Sequence, residues 1–141
     1  MRKALGALYV VIALTSMSVY ADDVAGPILK SGFDAYKTDG AQAAIKAWLK
    51  GSPLENSKEA LSQANMLNQI QDFYGPFKSY DVIQNHTIAP SSHIVYLAIN
   101  FEHGALFGKF LVFTTKDGST ISSFRFHTDA DQVLPGSLIV H

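Results

Sequence analysis

The chain contains no cysteine. That absence excludes disulfides, thiol nucleophiles, cysteine-based zinc sites and the lipid-bearing cysteine of a bacterial lipoprotein. Charge is also sparse. Asp, Glu, Lys and Arg make up 16% of the residues, and the formal net charge is −1. Such a balance argues against nucleic acid as a partner, which needs a clustered basic surface. There is no phosphate-cradling glycine loop, no serine in a nucleophile elbow, no internal repeat and no low-complexity tract. The longest apolar run, Ala4 to Leu14, is too short to cross a bilayer comfortably as a helix.

That run belongs to the opening stretch MRKALGALYVVIALTSMSVYADD. Arg2 and Lys3 form a basic start, and Val19-Tyr20-Ala21 offers small residues at the usual cleavage positions. We read residues 1–21 as a secretory signal peptide and expect a periplasmic or secreted protein, with no membrane span after cleavage. Removing Arg2 and Lys3 leaves nine Lys and Arg against twelve Asp and Glu, a net of −3. The remaining length suits one domain with one core, over residues 22–128, followed by a tail over 129–141. The tail holds Pro135-Gly136 and Leu138-Ile139-Val140, and reads either as a packed extension or as a loose end.

Helical signals come first. Ile28, Leu29, Phe33 and Tyr36 recur near a 3.6 period between Val24 and Lys37, with Gly32 as a mild weakness. Thr38-Asp39-Gly40 breaks the pattern, and Asp39 is placed to cap a second helix. Ala41, Ala44, Ile45, Trp48 and Leu49 form one stripe of that helix, which Gly51 ends. Ser52, Pro53 and Glu55 read as N-cap, first turn and capping box of a third helix running to about Tyr74. Gly75-Pro76 stops it.

After Pro76 the period becomes two. Four strands are expected, at Phe77–Thr87, Ser92–Phe101, Ala105–Thr115 and Ser119–His127. His103-Gly104 and Asp117-Gly118 read as the two-residue turns between the last three. Helices followed by an antiparallel meander make an α+β domain with the helices on one face of the sheet. With those turns, one face carries Val95, Leu97, Ile99, Phe110 and Val112, together with Ser123, Arg125 and His127. The other carries Ile94, Tyr96, Phe107, Lys109, Leu111, Phe124 and Phe126. Both faces are apolar in the middle, so helices on one side leave a second face to cover. A homodimer through the sheet is the expected cover, and the tail or a helix wrapping round is the alternative. Val95, Leu97, Ile99, Phe110 and Val112 are the dimer-face candidates, although the sequence does not say which face meets the helices.

Phe73-Tyr74-Gly75-Pro76-Phe77, Val95-Tyr96-Leu97, Gly104-Ala105-Leu106-Phe107, Lys116-Asp117-Gly118 and Ser123-Phe124-Arg125-Phe126 carry a resemblance. In this arrangement the chain resembles the nuclear transport factor 2-like superfamily, the cystatin-like cone that includes ketosteroid isomerase-like and SnoaL-like proteins. It is similar in particular to small exported bacterial members of unassigned function. The resemblance spans roughly residues 24–129. It implies helices over a curved four-stranded sheet, often with a pocket between them, and frequent dimers. The acid–base pair of the isomerase members does not carry over. The meander places no Asp or Glu inward except Asp81, and Glu102 sits at a turn.

Candidate chemistry is thin. His86 and His93 flank the first hairpin and are near enough in sequence to approach each other, but no histidines fall at a ligand spacing, so no metal or other cofactor is expected. Arg125 and His127 share one side of the fourth strand. They suit a carboxylate or phosphate, or else an edge-strand charge that blunts unwanted pairing. Lys109 lies among apolar groups, where a lysine either titrates low or, more commonly, lays its stem over them. Tyr36, Trp48, Phe73, Tyr96 and Phe107, with Arg125 and His127, are candidates to line a pocket between helices and sheet, or are simply core. The expected function is a non-catalytic binding or assembly module, holding a small apolar ligand in the cone or a protein partner on the sheet. An isomerase- or cyclase-like enzyme using Tyr96, Asp81 or His127, and a purely structural homodimer, are the alternatives.

Overall fold

The computed structural model describes residues 25–139. The expected signal segment, residues 1–21, lies outside the described residues, as do 22–24, 140 and 141. Three helices come first: α1 (Gly26–Asp39), α2 (Ala41–Leu49) and α3 (Lys58–Tyr74). Four strands come after them: β1 (Phe77–Ala89), β2 (Ser92–Phe101), β3 (Gly104–Thr115) and β4 (Gly118–His127). They form one curved, open antiparallel sheet in the order β1-β2-β3-β4. The α+β architecture expected from the sequence is therefore present. No helix among the described residues is long and apolar enough to cross a membrane.

The first two helices bury the stripes their spacing dictates, whereas α3 buries only Ala60, Ala64 and Leu67. Leu29, Gly32, Phe33 and Tyr36 are the buried positions of α1, and Ala41, Ala44, Ile45, Trp48 and Leu49 those of α2. Gly32 is what lets the two helices meet. A Cβ built there would lie 1.7 Å from Trp48 Nε1, inside the indole. The helix-weakening glycine thus marks the closest approach of α1 to α2. Trp48 continues into the sheet, with its ring centroid 4.8 Å from Phe33 and 5.0 Å from Phe110, both edge-on. Its indole N–H donates to the Leu29 carbonyl at 3.4 Å, so the buried polar tip has a partner.

Two helix starts differ from expectation. Asp39 does not cap α2. It is the last residue of α1, and the junction is Gly40 at φ +92°, whose N–H bonds the Tyr36 carbonyl. Ser52, Pro53 and Glu55 do not open α3. Ser52 Oγ accepts from Leu54 N–H and Glu55 from Gly51 N–H, so the side chains act as in a capping box but close only a short turn. Asn56, at φ +59°, then turns the chain out of helical geometry. The N-cap is Ser57, accepting from Ala60 N–H at 3.1 Å.

Both later hairpins turn one residue earlier than expected. Phe101 pairs with Gly104, so the β2–β3 turn is Glu102-His103. It is held by backbone bonds from Glu102 N–H to the Pro76 carbonyl and from His103 N–H to the Tyr74 carbonyl. Relative to expectation the register slips by two, which leaves every β2 and β3 side chain on its expected face. The β3–β4 turn is Lys116-Asp117, because Thr115 pairs with Gly118. The two turn residues keep negative φ and Gly118 takes φ +130°, the arrangement of a type I turn followed by glycine.

A bulge alters β4. Val112 pairs with Ile121 but Leu111 pairs with Ser123, so Ser122 is an extra residue. Downstream of it the faces differ from expectation. Phe124 and Phe126 point toward the helices beside Phe110 and Gly108, while Ser123, Arg125 and His127 point away. Phe126 packs over Gly108, where a Cβ would come within 3.1 Å of its ring.

The face beneath the helices is now defined. Val95, Leu97, Ile99, Phe110 and Val112 are all completely buried within the chain's own core. As dimer-face candidates they are corrected, because α1, α2 and α3 already occupy that side. The tail forms two short 3₁₀ turns, Ala130–Gln132 and Gly136–Leu138. Val133 and Leu134 between them are buried, and they stand outside the core cluster beneath the helices.

Candidate functional site: the outward face of the sheet

Strand alternation turns the even-numbered residues of β2 and the odd-numbered residues of β3 away from the helices. Register then lines them up in rows from β1 to β4. One row is Asp81–Ala98–Phe107–His127, and the next is Gln84–Tyr96–Lys109–Arg125. Beyond it lies His86–Ile94–Leu111–Ser123. Four pocket candidates, Tyr96, Phe107, Arg125 and His127, are thus brought together, but on the open side of the sheet rather than in a cone. Tyr96, Phe107 and Leu111 are half-buried and Phe113 is 43% exposed.

The other pocket candidates lie elsewhere. Tyr36 and Trp48 are packed in the core. Phe73 projects from the end of α3 at 80% exposure. Tyr36 has no hydrogen-bond partner for its hydroxyl among the described residues, and burial pushes its pKa up to about 12. Its ring rests on Phe77, centroids 4.8 Å apart, so the hydroxyl sits among packed groups. Two clefts lie on the helical side. One of about 350 Å³ runs between α2 and the start of α3, with Ile45, Lys46, Leu49, Lys58, Leu61 and Ala64 among the residues that line it.

Charge on the outward face is asymmetric. Asp81, on edge strand β1, accepts from Asn100 Nδ2 at 2.7 Å, and the same amide reaches Ser79 Oγ at 3.2 Å. Lys109 and Arg125 are cross-strand neighbours on β3 and β4. Among the described residues neither has an ion-pair partner, the one such pair being the exposed Lys30–Asp34 on α1. His127 Nδ1 accepts from the Asp129 backbone N–H at 2.8 Å, which leaves Nε2 as the donor of the neutral ring. Asp81 therefore sits at the β1 edge, and Lys109 and Arg125 lie toward the β4 edge.

This arrangement separates groups that proton-transfer chemistry would need together. Asp81 and His127 share a row but lie three strand spacings apart, about 14 Å. His86 and His93 take opposite faces: His86 is outward, while His93 is buried against Thr87 Oγ1 at 3.1 Å. No group of three or more His, Asp or Glu side chains gathers at metal-binding distance among the described residues.

Sequence reading missed the Asn100–Asp81 bond, because the β1 register was not readable from its weak alternation. It also missed the flip of Phe124 and Phe126, for which a signal exists. Ile121, Phe124 and Phe126 are spaced three and then two, and an odd gap between apolar strand positions marks an inserted residue. No protein-family model matches the chain, and no curated protein or solved structure matches it either.

Proposed function

We propose that the protein is an exported, non-catalytic assembly module of nuclear transport factor 2-like form, which engages a protein partner through the outward face of its sheet. The observation that carries this reading is the face itself. Tyr96, Phe107, Leu111 and Phe113 remain partly open to solvent around two cations that lack an ion-pair partner among the described residues. Apolar patches rimmed by polar groups are the usual mark of protein contact. A small ligand in the cone is less well supported, since Trp48 and Tyr36 are closely packed by Phe33, Phe77 and Phe110. The aromatic and cationic content of the face, with acid and base set far apart, also favours recognition over proton transfer.

The test is a pair of charge insertions in the protein as processed by an exporting bacterial host. Leu111→Glu on the outward face should abolish assembly seen by sedimentation velocity. Leu61→Glu, on an exposed position of α3, should leave it intact. Radical footprinting should show Tyr96 and Phe107 protected in the assembled protein. If both rings stay fully reactive at every concentration and in the native extract, the reading is wrong.

A further inference from the structure

We infer that the cleft between α2 and α3 is a binding site for a medium-chain carboxylate, a single acid group on an alkyl chain. The inference is independent of the sheet-face reading, because the cleft lies on the helical side of the molecule. It is also separate from the space between helices and sheet, which Trp48 fills against Phe33 and Phe110.

The cleft follows from the sequence of α3. The buried positions in the first half of that helix are Ala60 and Ala64, one turn apart. They line the cleft together with Ile45 and Leu49 of α2. Methyl groups in place of larger side chains leave the two helices incompletely packed here. The space left is about 350 Å³, at the small end of ligand sites. At the ~30 Å³ that a water occupies in the liquid, it holds about twelve non-hydrogen atoms, the size of decanoate. Leu61 also lines the cleft and is 54% exposed, so part of its apolar wall is open to solvent.

Two cations complete the site. Lys46 comes from the last turn of α2, where a helix favours positive charge. Lys58 is the first residue of α3, where a helix does not favour it. Its position is therefore not explained by helix stability. Neither lysine has an ion-pair partner among the described residues. Glu55 is the one acid among the described residues of the lining, and its Oε2 accepts from Gly51 N–H at 2.8 Å. With one lysine on each helix, long flexible stems let both ammonium groups close on one acid group. The chain attached to that group then covers Leu61 and lies against Ile45 and Leu49.

The rest of the lining selects the class of ligand. No aromatic ring, histidine or arginine is among the described residues that line the cleft. A planar ligand finds no ring to stack on, and a phosphate finds no guanidinium fork. Aliphatic walls beside two exposed ammonium groups suit an amphiphile with a compact anionic head.

The experiment is calorimetric titration of the exported, processed protein with decanoate, and with hexanoate, octanoate and dodecanoate beside it. Decanoate should bind at one site per chain. Affinity should rise about threefold per methylene from hexanoate to decanoate and gain little at dodecanoate, because the cleft is then full. Lys46→Gln and Lys58→Gln should each weaken decanoate by about fivefold, and decanol should bind about twentyfold more weakly than decanoate. Leu61→Glu should weaken it more than either lysine variant, with the circular dichroism spectrum unchanged. Leu111→Glu, on the opposite side of the sheet, should leave decanoate binding unchanged even where it abolishes assembly, so the two readings fail separately. Decanol binding as tightly as decanoate, or lysine variants that match wild type, overturns the inference. So does an affinity that ignores chain length. Absence of decanoate binding overturns it as well, and retention on phosphatidylglycerol vesicles that both lysine variants abolish would then assign the cleft to a lipid surface.

Discussion

Gly32 shows how one residue sets the geometry of a helix pair. A methyl group there would overlap the Trp48 ring at 1.7–2.2 Å. The indole is itself fixed between Phe33 and Phe110, so it has no room to retreat. Gly32→Ala should therefore destabilise the fold by about 2 kcal/mol or more, despite the ~1 kcal/mol that alanine gains in a helix interior. Urea titration followed by Trp48 fluorescence measures this, with Gly136→Ala, which meets nothing within 4 Å, as the reference. Tyr36 makes the opposite case. Burial lifts its pKa from 10.0 to about 12, so the native state keeps the phenol proton after the unfolded chain has lost it. The associated stability is fully present below pH 10 and is lost as pH climbs from 10 toward 12. Tyr36→Phe should flatten that part of the pH profile. It should also leave neutral-pH stability unchanged or raise it by about 1 kcal/mol, since the hydroxyl is buried without a partner among the described residues. The check is the urea midpoint of both proteins at pH 7, 9.5 and 11.

Among elements, β4 is the one whose placement depends on a single inserted residue. Ser122 shifts Phe124 and Phe126 onto the core face, and its hydroxyl donates to the Leu111 carbonyl at 3.3 Å. Deleting Ser122 should put Ser123 and Arg125 inward and both rings outward. Losing two aromatics costs about 3–5 kcal/mol each, as much as the whole stability of many domains. The deletion should therefore abolish cooperative unfolding and the near-ultraviolet dichroism. Ser122→Ala keeps the residue count and should cost about 1 kcal/mol or less. The same element marks where sequence reading reached its limit. Helical stripes and strand bounds were legible because burial imposes periods of 3.6 and two on apolar positions. Ser92–Phe101 was read to the residue. Register was not legible where a turn is held from outside it. Glu102 and His103 bond to carbonyls of Pro76 and Tyr74, which lie at the α3–β1 junction and far away in sequence. The Ser52-Pro53-Glu55 signal was chemically real, yet Asn56 ended the turn it began. Of the outward site, Tyr96, Phe107, Arg125 and His127 were named from sequence. Their sharing a face became legible only with the bulge, since alternation alone had set Phe107 on the other side from Arg125.

At the scale of the whole molecule, a sheet covered by helices on one side leaves a semi-apolar surface on the other, with no disulfide to hold the fold independently. Two copies sharing that surface would bury it on folding, so stability and assembly become one equilibrium. For a dimer that unfolds to separate chains, each tenfold rise in protein concentration adds about 1.4 kcal/mol per dimer to the folded side. Spread over the unfolding enthalpy of two domains of this size, that moves the midpoint temperature by about 3 °C. Scanning calorimetry across a hundredfold range of concentration should thus show a steady upward drift in wild type. Leu111→Glu should melt at a lower temperature that does not move with concentration, and Arg125→Glu should fall between them at low salt. Added salt should narrow the gap between Arg125→Glu and wild type, because rim charges are screened while apolar contacts are not. A wild-type midpoint that stays fixed over that range would mean that the outward face adds nothing to stability through a second copy. The half-open rings of Tyr96 and Phe107 would then have to be covered by another partner.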